Sequence, residues 1–304
     1  MTPIASIIII LLIILTIVAL ITSIICGITI SDRYLKTVKK FTNSIQQIKK
    51  EGLKHRLQID NNDELGQLGK EFNDVLDQLE NSLNQQSQFV SDASHELKTP
   101  ITSIRIMLDN IEENPNMDDS TREEFIEEIS KQVNWISSLV ISLLKLAKFD
   151  AGAIVMRDEK INLNKLIDNV LDNIAILIDV KNINVKKKID SDIYINADYN
   201  WQLEALTNII KNAIEHSKQG STIYINVENN LVFTRLRIKD DGEGINKKDI
   251  KHIFERFYKG KNSSSDSVGI GLALSKSIIE SNNGYIQVDS KLNKGTTFII
   301  KYLK

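Results

Sequence analysis

The sequence predicts a multidomain chain: an N-terminal transmembrane helix, a helical bundle after it, a dimeric antiparallel four-helix bundle, and a C-terminal α+β two-layer sandwich. Three observations predict it. Residues 4–30 hold no charged side chain over 27 positions, heptad-spaced apolar residues then recur as far as Phe149, and beyond Gly152 strand-like alternation is interleaved with helical stretches.

The apolar run exceeds the roughly 20 residues a helix needs to cross a bilayer. A signal peptide fits poorly, because no basic segment precedes the run, its core exceeds about 15 residues and no small-residue cleavage site comes after it. Arg33, Lys36, Lys39 and Lys40 come next, and the positive-inside rule puts the rest of the chain in the cytoplasm, as a single-pass protein of the cell membrane. Only residues 1–3 are then expected outside, so a stimulus should arrive within the membrane, through a membrane partner protein, or from the cytoplasm. A net charge of −2 gives no electrostatic ground for nucleic acid as a ligand. The single cysteine, Cys26, excludes an intrachain disulfide, and zinc-ligand spacing is absent.

Two amphipathic segments come after the membrane run. Tyr34, Val38, Phe41, Ile45 and Ile48 form the first, and Leu65, Leu68, Phe72, Val75, Leu79 and Leu83 the second. Between them EGLKHRLQIDNN breaks the period at Gly52, Asn61 and Asn62. A solvated or lipid-facing charge is expected of His55 there, and likewise of His252 on a short surface helix.

The next helix carries Val90, Ala93, Leu97, Ile101, Ile104, Leu108 and Ile111 on one stripe. His95 lies two residues from both Ala93 and Leu97, about 200° round the axis, and so faces solvent. Neutral imidazole attacks through one nitrogen while the other N–H needs an acceptor, and Glu96 is adjacent. Pro100 interrupts the helical pattern five residues after His95. After a turn at Pro115 a second seam runs through Ile126, Ile129, Val133, Ile136, Val140, Leu143 and Ala147, with Trp135, Leu139 and Leu144 as extra core and interface. One hairpin cannot bury two such seams, and dimerisation into a four-helix bundle would.

In the last half, strands are predicted at IVMRD, INVKKKI, IYINA, TIYINVE, VFTRLRIK, YIQVDS and TTFIIKYL, and helices at 163–179, 199–217 and 270–282. Helices on one face of a mixed sheet make the two-layer sandwich. Glycines are scarce from 71 to 239, where only Gly152 and Gly220 occur, yet seven lie from 240 onward. Gly242 and Gly244 follow a strand, while Gly269 and Gly271 open a helix, where free N–H groups suit a phosphate. On helix 199–217, Glu204, Asn208, Asn212 and Glu215 form a polar stripe beside apolar Leu203, Leu206, Ile210 and Ala213. Asparagine is a poor helix former, and amide oxygens suit Mg²⁺.

HELKTP around His95 closely resembles the phosphoacceptor box of sensor histidine kinases. NIIKNAIEHS, DDGEGI, IFERFYKG, GIGLAL and GTTF, in that order, resemble the five boxes of that family's ATP-binding domain. The segment before them resembles a HAMP relay, although Thr37 stands where proline is common, and a plain coiled-coil spacer remains the alternative. The resemblance implies residues 31–85 as the relay, 86–150 as the dimerisation and phosphotransfer domain, and 151–304 as the catalytic domain, with 4–30 the membrane helix. It implies a homodimer on the lipid bilayer that uses ATP and Mg²⁺ to phosphorylate His95, passes the group to an aspartate of a response regulator receiver domain, and dephosphorylates that regulator.

By the same resemblance Asp240 accepts from the adenine amino group, Asn212 ligates Mg²⁺ with Asn208 close by, Gly242, Gly244, Gly269 and Gly271 shape the pocket, and Thr296 lies near the adenine end. Lys259 occupies a phosphate-contacting position at the edge of a polar lid, 259–268. Thr99 falls in the family's phosphatase signature, while its other reading is a local bond to a backbone carbonyl freed near Pro100. Two departures stand out: Glu215 replaces a common lysine, with Lys211 or Lys218 able to compensate, and Ser267 replaces a glycine. They leave open a phosphatase-biased regulator with a weakened ATP site, and from another class a nucleotide-binding membrane scaffold.

Overall fold

The computed structural model describes residues 3–57, 64–150, 156–189, 192–260 and 268–304, with only the backbone described for 3–6, 8, 9 and 33. Asn61, Asn62, Ala151, Gly152, Ser267 and most of the 259–268 segment therefore lie outside the described residues. The chain divides into two compact units, Met1–Ser91 and Asp92–Lys304.

In the first unit α1 (Pro3–Glu51) joins the apolar run and the first amphipathic segment in one helix. It contains an 18-residue window of mean hydropathy 2.9, long and apolar enough to cross a membrane. The helix ends at Gly52, whose φ of +90° an L side chain adopts only with strain. Ile48, Leu57 and Leu76 are buried together, with Phe41, Leu53 and Phe72 packed against them. The Phe41 and Phe72 rings meet edge to face at 6.0 Å.

The connector is tied down by polar bonds. Asn73 accepts the Leu57 N–H at 2.8 Å and donates to the Leu57 carbonyl at 3.0 Å, and Arg56 pairs with both Asp77 and Glu80. His55 is paired with Glu51 at 3.3 Å rather than simply solvated.

Helix α2 (Glu64–Glu113) begins here, and its buried member is Leu76, one position off the heptad seam. Leu68, Val75, Leu79 and Leu83 stay about half exposed. Among the described residues of this unit α2 packs on α1 through Phe72 and Leu76, and its heptad seam stays exposed.

The second unit opens with the rest of α2, which continues as helix through a buried Pro100. Helix α3 (Asp119–Asp150) returns after the turn. Asp118 starts it: its carboxylate accepts the Thr121 N–H at 2.9 Å and the hydroxyls of Thr121 and Ser120, bonds that hold its carboxyl down at about 2. Leu139 and Leu146 are fully buried, whereas Ile101, Leu108, Ile126, Val133 and Val140 of the predicted seams are exposed, and so is Leu144.

The sandwich comes last: β1 (Glu159–Asn162), α4 (Leu163–Asn173), α5 (Ala175–Val180), β2 (Asn184–Lys188), β3 (Tyr194–Ala197), α6 (Tyr199–Glu215), β4 (Thr222–Asn229), β5 (Phe233–Lys239), α7 (Gly271–Ser281), β6 (Gly284–Lys291) and β7 (Gly295–Leu303). Five strands pair in the order β2-β4-β5-β7-β6, parallel only between β2 and β4, while β1 and β3 form a separate ribbon.

The inner face presents Ile223, Ile225, Leu236, Ile238, Phe298 and Ile300, all fully buried, to a helical layer with Leu166, Ile167, Leu206, Ile210, Ile278 and Ile279. Each such side chain contributes about 1.5–3 kcal/mol by leaving water. Buried Tyr302 donates to Gln202 at 2.7 Å, and burial raises its hydroxyl's pKa.

The structure corrects three predicted elements. The first strand is Glu159–Asn162 and not IVMRD, whose described residues are irregular, because the Asn162 side chain already caps α4 through the Lys165 N–H at 3.0 Å. The helix expected over 163–179 breaks at Ile174, where a tight bond to the Leu171 carbonyl holds the buried side chain in the core. Residues around His252 form turns instead of a short helix.

Candidate active site

His95 is exposed on α2, as its angular position predicts. Asp92, His95 and Glu96 share one surface cleft with Glu255, Arg256, Phe257 and Tyr258 from the segment after β5. The Lys259 ammonium lies 2.6 Å from Glu96 Oε2, and Arg256 reaches Asp150 at the end of α3 at 2.7 Å. Lys145 of α3 pairs with Glu204 of α6 at 2.8 Å, and Phe149 meets Trp201 edge to face at 4.6 Å. Glu204, the first member of the predicted polar stripe, thus pairs with α3.

The Thr99 hydroxyl donates to the His95 carbonyl at 3.3 Å. That is the local bond of its structural reading, although the oxygen remains exposed on the face that carries His95 and keeps its lone pairs for water.

A second cluster, around the first glycine pair, forms where β5 ends. Asp240, just past β5, is 2% exposed, and its Oδ1 accepts the N–H of Gly242 at 2.9 Å and of Thr296 at 3.2 Å. Burial raises its pKa, and those two bonds partly oppose the rise. Oδ2 has no partner among the described residues. Thr296 is fixed in turn by the Ser290 hydroxyl at 2.9 Å, and Ser290 also accepts the Ile245 N–H just beyond Gly244, at 2.8 Å.

Gly295 has φ +90°, and a Cβ there would strike the Asp240 carbonyl. GTTF marked Gly295 in the sequence, whereas Ser290 carried no signal there.

Helix α7 starts at the other glycine pair. Its N-cap, Ile270, supplies no side-chain bond, so the first-turn N–H groups are left for a ligand. Asn208 of α6 packs against this start: a Cβ on Gly271 would lie 3.5 Å from the Asn208 amide carbon. Asn212 lies one turn further along the same helix. Glu215 pairs with Lys211 at 3.6 Å, so of the two compensating lysines it is Lys211 that is engaged.

Lys181 secures the helix end, its ammonium donating to the carbonyls of Ile214, Glu215 and Ser217 at 3.1, 2.6 and 3.3 Å. Among the described residues no group of three or more His, Cys, Asp or Glu could hold a metal. The donors that fit Mg²⁺ are the amide oxygens of Asn208 and Asn212, together with the phosphates of a nucleotide.

The two regions are linked by Phe257. It sits in the left-handed region at φ 61°, costing about 1–2 kcal/mol for a residue with a Cβ, and its N–H donates to the Gly269 carbonyl at 2.9 Å. A Cβ on Gly269 would lie 2.8 Å from the Phe257 backbone. The segment lining the His95 cleft is therefore locked to the loop that opens α7. A second cleft on the outer sheet face, lined by Tyr224, Asn226, Arg237, Lys239 and Thr297, contains none of these groups.

Three family descriptions match the chain in series: the HAMP domain at 34–81, the His Kinase A (phospho-acceptor) domain at 85–152, and the histidine kinase-, DNA gyrase B-, and HSP90-like ATPase at 197–304. With that series the chain carries a HAMP domain, a histidine kinase phospho-acceptor domain and a histidine kinase-type ATPase domain, the order in which it resembles membrane sensor histidine kinases.

Among individual relatives it is 32% identical over 285 residues to the heme sensor protein HssS of Staphylococcus saprophyticus, covering 94% of this chain and 61% of that protein. It is 33% identical over 279 residues to the signal transduction histidine-protein kinase ArlS of Staphylococcus aureus, covering 89% and 60% respectively. The chain thus spans about three fifths of the length of these relatives.

The histidine kinase AdeS of Acinetobacter baumannii superposes with a TM-score of 0.58 at 26% identity, covering 69% of this chain and 97% of that one. The fold is shared with histidine kinase ThkA, solved in complex with response regulator protein TrrA, at a TM-score of 0.62 and 22% identity over 74% of this chain and 64% of that one.

Proposed function

We propose that this chain is a membrane-anchored, homodimeric histidine kinase that uses ATP to phosphorylate His95, passes the phosphoryl group to an aspartate of a response regulator, and removes it again. The observation that carries this reading is the cleft in which His95 and Glu96 face the segment locked to the α7 loop. The relay is assigned to 31–85, the phosphotransfer domain to 86–150 and the catalytic domain to 151–304. The bare seams of α2 and α3 support pairing with a second copy. The apolar run of α1 supports a cell-membrane anchor with cytoplasmic domains.

Asp240 Oδ2 accepts from the adenine amino group beside Thr296. Gly242, Gly244, Gly269 and Gly271 let the backbone approach the nucleotide, and Lys259 contacts its phosphates. Asn212, with Asn208 adjacent, holds Mg²⁺, which supplies neutralisation of phosphate charge. One imidazole nitrogen of His95 forms the new bond to the γ-phosphorus as the bond to the β–γ bridging oxygen breaks and ADP leaves. The proton on the other nitrogen passes to Glu96.

Incubating the full chain in vesicles with γ-labelled ATP tests the proposal, the expected product being acid-labile, base-stable phosphoprotein. Acid-stable label, or none, overturns it.

Two further outcomes bear on the same site. Glu215→Gln should leave ATP affinity within about two-fold, because Lys211 already offsets the carboxylate. A several-fold gain by calorimetry would instead support the weakened ATP site. In Thr99→Ala, autophosphorylation should persist while dephosphorylation of the regulator falls by about ten-fold or more, since the hydroxyl orients the attacking water. Alanine favours helix, so the melting midpoint should not drop. Intact phosphatase activity would leave Thr99 only its bond to the His95 carbonyl.

A further inference from the structure

Lys259 and Glu96 come from segments 163 residues apart, yet they form a 2.6 Å hydrogen-bonded pair in which both side chains are about 70% shielded, at 31% and 29% exposure. The same ammonium lies 5.8 Å from the centre of the Trp135 ring on α3. Each partner has another task in the reaction proposed above. Glu96 must accept a proton from His95, and Lys259 must meet a phosphate. One unit of positive charge in a partly desolvated site is drawn to the more highly charged anion, and a triphosphate outbids a single carboxylate.

The neighbouring contacts do not depend on this lysine. Arg256 keeps its own partner in Asp150, and Phe257 its bond to Gly269, so Lys259 can change partner while the segment stays in place.

We propose that Lys259 is a positioning residue shared between two anions: it holds Glu96 until the terminal phosphate of a bound nucleotide takes it over. The acid beside His95 is then released only when a transferable phosphoryl group is present. Nucleoside diphosphate, which lacks that group, leaves the pair intact. This rests on the kinase reading of the site.

The test measures binding of ADP and of a non-hydrolysable ATP analogue to the full chain in nanodiscs. Glu96→Gln removes the competitor and should tighten the analogue about five-fold without changing ADP. Lys259→Gln should weaken the analogue and leave ADP unchanged, and adding Glu96→Gln to it should produce no further change. Lys259→Arg should retain the wild-type preference for the analogue over ADP. Wild-type autophosphorylation with an analogue affinity insensitive to Glu96→Gln overturns the exchange while sparing the kinase reading. Equal tightening of both nucleotides by Glu96→Gln also overturns it. Failure of the wild type to bind either nucleotide overturns both.

Discussion

His95→Gln should abolish phosphoprotein formation, reducing label from γ-labelled ATP to background, while nucleotide affinity and the melting midpoint stay at wild-type values. Glutamine offers no nitrogen with a free lone pair, so nothing at that position can bond phosphorus. The loss is confined to chemistry because His95 is an exposed position on α2, where a substitution costs within about 0.5 kcal/mol. Asp240, proposed above to meet adenine, lies buried elsewhere, between the N–H groups of Gly242 and Thr296. Labelling and calorimetry on one preparation check both halves, and normal labelling of the variant would place the phosphoacceptor on another residue.

Asp240→Asn should weaken ATP binding about 100-fold while making the protein slightly more stable wherever the wild-type carboxyl is ionised. The asparagine Oδ1 can keep both existing bonds, from Gly242 and Thr296. Its Nδ2, however, replaces the acceptor Oδ2 with a donor and faces the adenine amino group donor to donor. Losing a hydrogen bond to a charged acceptor costs roughly 1.5–3 kcal/mol, equivalent to one to two decades of affinity.

Stability moves the other way because burial raises the Asp240 pKa. A carboxyl whose pKa is higher folded than unfolded binds more protons when folded, so its contribution to stability declines as pH rises from the ordinary carboxylate value through the raised one. Above that window the wild type carries the buried charge, and the amide removes that cost. Melting curves should therefore show the variant's advantage above that window and lose it in acid. A lower melting midpoint above that window would mean that the carboxylate stabilises the loop, and unchanged ATP affinity would mean that it does not meet adenine.

Much of this was legible in the residues because helices and strands imprint their periods on the sequence. The exposure of His95 followed from its angle to Ala93 and Leu97, and the alternation of Ile223 and Ile225 placed them inside the sheet. Local breaks were less legible. The division of 163–179 at Ile174 depends on what that side chain packs against, and a 3.6-residue period passes through it unchanged. Leu76 was missed for a similar reason: a heptad seam marks the face meant for other helices, whereas its own chain buries the residue beside it.

By itself the sequence determined the membrane-compatible helix, the serial order of domains, the exposed position of His95 and the glycine loops, since each is a property of neighbours along the chain or of composition over one segment. Only the tertiary structure decided that Lys259 holds Glu96, that Arg256 holds Asp150, that Glu204 serves Lys145, and that Phe257 takes a left-handed backbone against Gly269. These pairings join segments up to 163 residues apart, and ion pairs leave no period in a sequence. A charge shows its type along the chain, but its partner is set by which surfaces the apolar core brings together.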